Sequence, residues 1–390
     1  MQTVFNHAPA LFTLPRAWCV FSHFDPNGQV EPYVLQYLRE LNRCGLGIVV
    51  VSTSRQLDDA SIEALKQVAT VAILRDNVGY DFGSYKVGID FLREQGIEPR
   101  QLLLTNDSVF GPFHALDQVF ADAQAYDLYG MTDSFDFHYH LQSFFIIYGE
   151  RVLKSQDFWN FWDQVEFIDA NEPDFKQQII LRYEVGGSQY FLEKGFRIGS
   201  AYPFTSVLSR AFDDYLNQLR SLQDVPGSSI RPLHIQFNAT HRFWNTLLDI
   251  GFPFLKRELL LVNPTNADIS KWSDVVRSLS DYDLTMIISA MRNYSGSDDF
   301  FFVTNSATVA RLLDDEGNVT LTVDPAFRPW QEQFKVPETR RFRFDEQIYL
   351  DKCPDVKVAF MNGKVTSALR HFRNTGYREG RPVALVRQAD

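Results

Sequence analysis

No apolar run in this 390-residue chain is long enough to cross a bilayer, since the longest, such as 46–51 and 284–290, fall far short of the ~20 residues a spanning helix needs. The N-terminus has no basic segment followed by an apolar one, so it reads as lacking a secretory signal, and the chain is expected in the cytoplasm. Cysteine is scarce. Cys19, Cys44 and Cys353 are an odd number without metal-ligand spacing, which excludes a disulfide framework and suits reduced, buried thiols. Basic charge is in deficit: 38 Lys and Arg against 49 Asp and Glu leave a formal charge of -11, which repels a polyanion, so nucleic acid is not an expected partner. Low-complexity tracts and long internal repeats are absent too, and the composition excludes a fibre, a coiled coil and a disordered scaffold. What is there is a composition of 45% apolar and 22% charged residues, ordinary for globular proteins, over a length that suits two or three folding units. Aromatics are plentiful, with 34 Phe, 16 Tyr and 6 Trp, most of them core and some able to line a sugar site.

Short apolar runs alternate with helical patterns. Residues 17–24 read as a buried strand, followed by the turn Asp25-Pro26-Asn27-Gly28 and a helix opening at Pro32. Val34, Leu35, Leu38 and Leu41 keep helical spacing, and Gly45 closes the helix before a strand at 46–52. The unit then repeats: a helix marked by Ile62, Leu65 and Val68, a strand at 71–74, a helix carrying Tyr85, Ile89 and Leu92, a strand at 101–105, a helix near 115–123 and a strand at 126–131. This order predicts an α/β fold with a mainly parallel sheet flanked by helices. Beyond it, the pattern predicts a helix at 157–162, a helix-turn-helix at 174–194, a polar break at 223–232, a helical stretch at 238–250 and a basic linker at 337–343 that leads into a small helical tail.

In such sheets ligands bind beyond the carboxyl ends of the strands, so the loops there are the places to look for chemistry. The loop 75–84 combines Gly79 and Gly83 with Asn77 and Asp81 at the start of a helix; it is either a nucleotide-contacting loop or an ordinary capped turn, and it matches neither the dinucleotide fingerprint nor a P-loop. Asn106-Asp107-Ser108 follows a strand directly, so Asp107 either joins a diphosphate in holding Mg²⁺ or Mn²⁺ or caps the next turn. His138-Tyr139-His140 places two imidazoles on one strand face, but without further ligands of matching spacing a closed zinc site is not expected. His140 and Gln142 are read instead as partners of sugar hydroxyls. Asn238, His241 and Trp244 form a polar-aromatic cluster that either lines a ligand site or belongs to the core.

Taken together and in order, residues 20–25, 77–81, 105–112, 130–134 and 140–145, with Glu184-Val185-Gly186-Gly187-Ser188 and the stretch from Trp244 to Asn263-Pro264, closely resemble the rhamnan synthesis protein F family over roughly 17–265. That resemblance implies a GT-A, Rossmann-like nucleotide-sugar glycosyltransferase acting in bacterial surface-polysaccharide assembly such as O-antigen. The expected reaction is inverting transfer of a deoxyhexose, L-rhamnose from dTDP-rhamnose, to a lipid-linked glycan. In GT-A enzymes a DxD motif holds the metal; Asn106-Asp107-Ser108 stands there in degenerate form. The implied donor-binding residues are His23, Asn77, Gly79, Asp81, Asn106, Asp107 and Ser108, with Asp107 the metal ligand. His140, Gln142, His241 and Trp244 are the implied acceptor-binding residues. An inverting transferase also needs a base beside the acceptor hydroxyl. Glu184, read as a carboxylate at a helix head, resembles that base, and Asp133 or Asp136 is its alternative.

The expected division is 1–265 for the transferase domain, 266–336 for an accessory segment and 337–390 for a small helical module. The last resembles modules appended to bacterial surface-polysaccharide proteins and would dock to polysaccharide assembly proteins. Arg340, Arg341 and Arg343 either face an anionic lipid surface, at the inner membrane, or form a solvated linker. The rival functions are a transferase of another nucleotide sugar and a non-catalytic glycan-binding subunit.

Overall fold

Apolar runs bounded by turn residues form the strands that the alternation predicts. The computed structural model describes residues 1–8, 14–169, 171–172, 174–222, 238–265, 267–302, 306–379 and 381–388. Within these the chain divides into two units, Met1–Leu255 and Lys256–Asp390.

The first unit is built on a nine-stranded sheet. Its strands are β1 (Gln2–Asn6), β2 (Ala17–His23), β3 (Leu46–Ser52), β4 (Val71–Leu74), β5 (Gln101–Asn106), the short β6 (Val109–Phe110) outside the sheet, then β7 (Leu128–Ser134), β8 (His140–Leu141), β9 (Phe145–Gly149) and β10 (Ile198–Tyr202). The order is β1-β4-β3-β2-β5-β9-β7-β10, with β8 paired to β7. Strands β4, β3, β2 and β5 pair in parallel, as do β7 and β10, while β9 runs antiparallel between β5 and β7. The carboxyl ends of β2, β3, β4, β5, β7 and β10 therefore share one edge of the sheet. β3 is buried along its whole length because helices cover both faces, the condition under which strands read as continuous apolar runs.

Those helices are α1 (Pro32–Arg43), α2 (Asp59–Lys66), α3 (Tyr80–Glu94), α4 (Asp117–Ala123), α5 (Glu150–Leu153) and α6 (Gln156–Asp163). Pro32 opens α1, whose Tyr33, Val34, Tyr37, Leu38 and Leu41 turn inward. Asp58 caps α2 by accepting from the Ser61 amide. In α3, Gly88 lets the helix approach β2 so closely that a Cβ there would lie 2.3 Å from Val20 Cγ1.

Two expectations for this unit need correction. Residues 174–194 are not a helix-turn-helix. α7 (Phe175–Ile179) continues through a π-helical turn, Ile180–Val185, into α8 (Gly186–Glu193) without a break, because the extra residue is absorbed by wider helical bonding. The antiparallel β9, rich in Phe, Ile and Tyr, fills a place in the sheet that the alternation did not predict. The predicted break at 223–232 lies outside the described residues. After α9 (Phe204–Leu222), the stretch 238–250 forms α10 (Ala239–Arg242) and α11 (Trp244–Asp249).

In the second unit Trp272 stacks on Trp330 with ring centroids 5.9 Å apart. Both 266–336 and 337–390 belong to this unit. The expected basic linker is instead a strand, Thr339–Phe344, paired antiparallel with Asn318–Thr322 and Leu385–Arg387. Its alternate residues point inward. Arg340 is buried, bonded to Asp299 Oδ1 at 2.6 Å and lying over the Phe302 ring, so of the three arginines it does not face solvent or lipid. Helices Glu346–Lys352 and Pro354–Met361 follow, tied back by a two-pronged Arg381–Asp355 pair at 2.7 and 2.6 Å. Cys19 and Cys353 are buried, Cys44 is half-buried, and all three are free thiols. No helix among the described residues is long and apolar enough to cross a membrane.

Candidate active site

Strand register collects the polar strand ends. Ser22 of β2 lies opposite Asn106 of β5, His23 opposite Ser52 of β3, and Thr105 opposite Phe145 at the start of β9. Asp81, in the first turn of α3, then bridges two strands: Oδ1 accepts from Ser22 Oγ at 2.8 Å and Oδ2 from Asn106 Nδ2 at 2.9 Å. The other side of the Asn106 amide accepts from the Ser108 amide at 3.1 Å and the Ser108 hydroxyl at 2.6 Å. Asp81, Asn106 and Ser108 thus form one network. Beside it, His23 Nδ1 meets Ser52 Oγ at 3.0 Å, and Asp107 Oδ2 accepts from the Phe24 amide at 3.0 Å.

The loop between β4 and α3 is held by a residue that sequence reasoning assigned no role, Arg75. Its guanidinium is buried and donates to the Val78 carbonyl at 2.6 Å, the Tyr80 carbonyl at 2.9 Å and Ser84 Oγ at 3.2 Å. Burial pulls its pKa down to about 10, against the opposing influence of Asp81 and Asp76. The only available signal was an arginine directly after an apolar strand in a glycine-containing loop. Gly79 adopts φ 74°, a left-handed conformation that disfavours side chains, and its amide donates to the Ile168 carbonyl at 2.7 Å. That amide is turned to the protein. Asn77 is exposed on the loop.

A second cluster stands on β7, β8 and the π-helical turn. Glu184 sits inside the continuous helix, not at a helix head. Its Oε2 accepts from the Ser143 amide at 3.1 Å and from the Ser143 hydroxyl, and its Oε1 lies 3.4 Å from His140 Nε2. Burial pushes the Glu184 carboxyl up, but the bond and charge of His140 and both Ser143 donors outweigh it and hold the group below the ordinary carboxylate range. For His140 burial is again the largest influence and pulls down, but Glu184 prevails and the imidazole titrates above its usual value. Its Nδ1 faces the His138 carbonyl at 2.8 Å. His138 lies outside the two-residue strand, so the two imidazoles do not share a strand face.

Gln142 Oε1 accepts from Thr132 Oγ1 at 2.7 Å, and its Nε2 reaches Asn238 Oδ1 at 3.4 Å. His241 and Trp244 are buried in α10 and α11. Asp133 uses both oxygens, accepting from the Phe204 amide at 2.6 Å and Ser200 Oγ at 3.0 Å; burial raises its carboxyl despite these bonds. Tyr85 joins the two clusters. Its hydroxyl donates to the Ser143 carbonyl at 3.0 Å, and its pKa, raised first by burial, is raised further by Asp81 on one side and Glu184 on the other.

For a metal, the first cluster offers carboxylate, amide and hydroxyl oxygens, a set suited to Mg²⁺ or Mn²⁺. Among the described residues, the group of three His, Cys, Asp or Glu ligand atoms within reach of one ion is elsewhere: Glu40, Cys44 and Asp117. Arg43 already pairs with both of those carboxylates, so a cation is in place there. The grooves at the amino-terminal ends of the strands, one lined by Arg16, Arg100 and Asp127, are likewise remote from this edge.

A family model described as rhamnan synthesis protein F matches residues 48–320. The uncharacterized protein y4gN of Sinorhizobium fredii is 29% identical over 228 residues, covering 57% of this chain and 56% of that one. The virulence protein VirA of Vibrio anguillarum is 30% identical over 209 residues, covering 52% of this chain and 66% of its own. The chain thus spans between half and two thirds of the length of these curated relatives. Among solved structures, glycosyltransferase GlyE of Streptococcus pneumoniae superposes with a TM-score of 0.33 at 12% identity, over 73% of this chain and 64% of that one. The family match runs from the centre of the sheet into the second unit, over more than half of the sequence, and the chain belongs to the rhamnan synthesis protein F family.

Proposed function

We propose that the chain is a nucleotide-sugar-dependent glycosyltransferase of GT-A type that transfers a deoxyhexose, L-rhamnose from dTDP-rhamnose, to a lipid-linked glycan of a bacterial surface polysaccharide. The observation that supports this best is the pair of adjoining clusters at the carboxyl edge, one rich in oxygen donors and one built around a paired carboxylate. On the donor side, Asp81, Asn106 and Ser108, with His23, Asn77 and Gly79 around them, receive the nucleotide. Asp107 would hold Mg²⁺ or Mn²⁺, and such an ion would supply positive charge to stabilise the diphosphate leaving group. On the acceptor side, His140, Gln142, His241 and Trp244 bind the acceptor.

Glu184 acts as general base. Oε2 holds two Ser143 donors and Oε1 only the longer 3.4 Å contact with His140, so Oε1 takes the acceptor proton as the acceptor oxygen bonds to the anomeric carbon and the bond to the diphosphate breaks, inverting configuration. The lowered carboxyl pKa keeps Glu184 ionised at neutral pH. Glu184→Gln keeps the size and removes the basicity; turnover should fall by roughly 10²–10⁴-fold while donor affinity survives. Asp133→Asn is the comparison. Near wild-type transfer by the Glu184 variant, with an inactive Asp133 variant, would move the base to Asp133. Location at the inner membrane, and docking of the C-terminal helices to assembly proteins, belong to the same proposal.

A further inference from the structure

We propose that the hairpin between β7 and β8 is an acceptor-binding platform for a neutral saccharide, with Phe137 and Phe135 as its stacking surface; the identity of that ligand as an acceptor rests on the transferase reading. Phe137 is 57% exposed and Phe135 42% exposed, which is unusual for large apolar side chains. They sit at the carboxyl edge of the sheet, in the hairpin fixed by the pairs Ser134 to His140 and Asp133 to Leu141. His140 in turn contacts Glu184, so the platform is continuous with the proposed base.

The hairpin tip is tied down. The Asp136 amide donates to Ser134 Oγ at 3.1 Å, the His138 amide to the Asp136 carbonyl at 2.9 Å, and Gln189 Nε2 to the Tyr139 carbonyl at 2.6 Å. Phe135 is wedged edge-on against Tyr139, centroids 5.4 Å apart, with Phe204 behind at 6.1 Å. Phe137 holds φ 65°, a conformation costly for a bulky residue and tolerated where surroundings impose it. Rings carried on a tied-down backbone lose less entropy on binding than rings on a free loop, which is what a recognition surface requires.

Charge chooses among occupants. From Thr132 to Gln142 the chain has no Lys or Arg, and the exposed carboxylate of this stretch is Asp136, since Asp133 is buried and bonded through both oxygens. An interfacial anchor combines aromatics with basic residues, so an anionic membrane is a poor match. A saccharide bearing uronic acid or phosphate would be repelled as well. A neutral saccharide fits both features: its C–H face packs on the electron-rich face of a ring, and its hydroxyls can donate to the exposed Asp136 carboxylate.

The test uses the full chain without donor, so that it reads independently of transfer. Binding is measured to immobilised neutral oligosaccharides ending in rhamnose, glucose or galactose, to uronic-acid-ending ones, and to phosphatidylglycerol vesicles. The expected result is binding to a neutral glycan that Phe137→Ala weakens about tenfold and Phe137→Tyr retains, with thermal unfolding unchanged in both. The proposal is overturned by no glycan binding in the unmodified protein, by equal binding in Phe137→Ala, by preference for acidic glycans, or by a loss confined to vesicle binding. If nucleotide sugars fail to bind while the glycan result stands, the transferase reading fails and the saccharide site remains.

Discussion

Glu184 and His140 favour each other's charged form, and the two shifts give the pair a pH window. His140 titrates above 6.5, so its share of stability is present below 6.5 and is lost as pH rises through the raised value. Glu184 titrates below 4.5, so its share is present above 4.5 and is lost as pH falls through the lowered value. Glu184→Gln should therefore move the His140 midpoint down in an NMR titration of the imidazole, because burial is then opposed only by the His138 carbonyl and Asp136. An unchanged midpoint would mean that the pair is not formed in solution. Arg75 makes a second prediction. Arg75→Met leaves the Val78 and Tyr80 carbonyls without their donor, at about 2–4 kcal/mol in chemical denaturation, and weakens donor binding by loosening the loop. Asp81, Asn106 and Ser108 were legible because polar residues at strand ends of an α/β pattern fall at the ligand edge. Ser22, Ser143 and Arg75 were not, because their roles depend on partners that are distant in sequence, such as Asp81, which lies 59 residues from Ser22.

Among the elements, strands β3 and β4 follow the residues the sequence predicts, since each is a continuous apolar run closed by turn or helix signals. The π-helical turn was invisible: Ile180–Val185 has the same apolar spacing that a regular helix or a break would show, and only tertiary packing around Glu184 distinguishes them. Thr339–Phe344 was misread because three arginines in a row of five suggest a solvated linker. Its alternation of exposed and buried residues is the period of a strand, with Arg340 on the inner face. Close packing of α3 on the sheet yields a prediction at this scale. Gly88→Ala places a methyl against Val20, which must shift or push the helix away, and α3 carries Asp81 at its start. Stability should fall by roughly 1–3 kcal/mol, and nucleotide affinity should fall with it. A variant of unchanged stability would show that the helix has more room than the backbone spacing indicates.

Across the whole molecule, the excess of acidic over basic residues argues against a polyanion as partner. The formal charge of -11 makes a site for a nucleotide diphosphate depend on local neutralisation, which is why a divalent ion at Asp107 belongs to the account. The measurement that tests the central claim most directly is a calorimetric titration of the full chain with UDP-, GDP- and dTDP-sugars, each with Mn²⁺ and again with excess chelator. The account predicts that one nucleotide sugar binds, most tightly dTDP-rhamnose, that chelator weakens it, and that Asp81→Ala abolishes it while leaving the protein folded. Absence of binding by every nucleotide sugar, or full binding by the Asp81 variant, would contradict it.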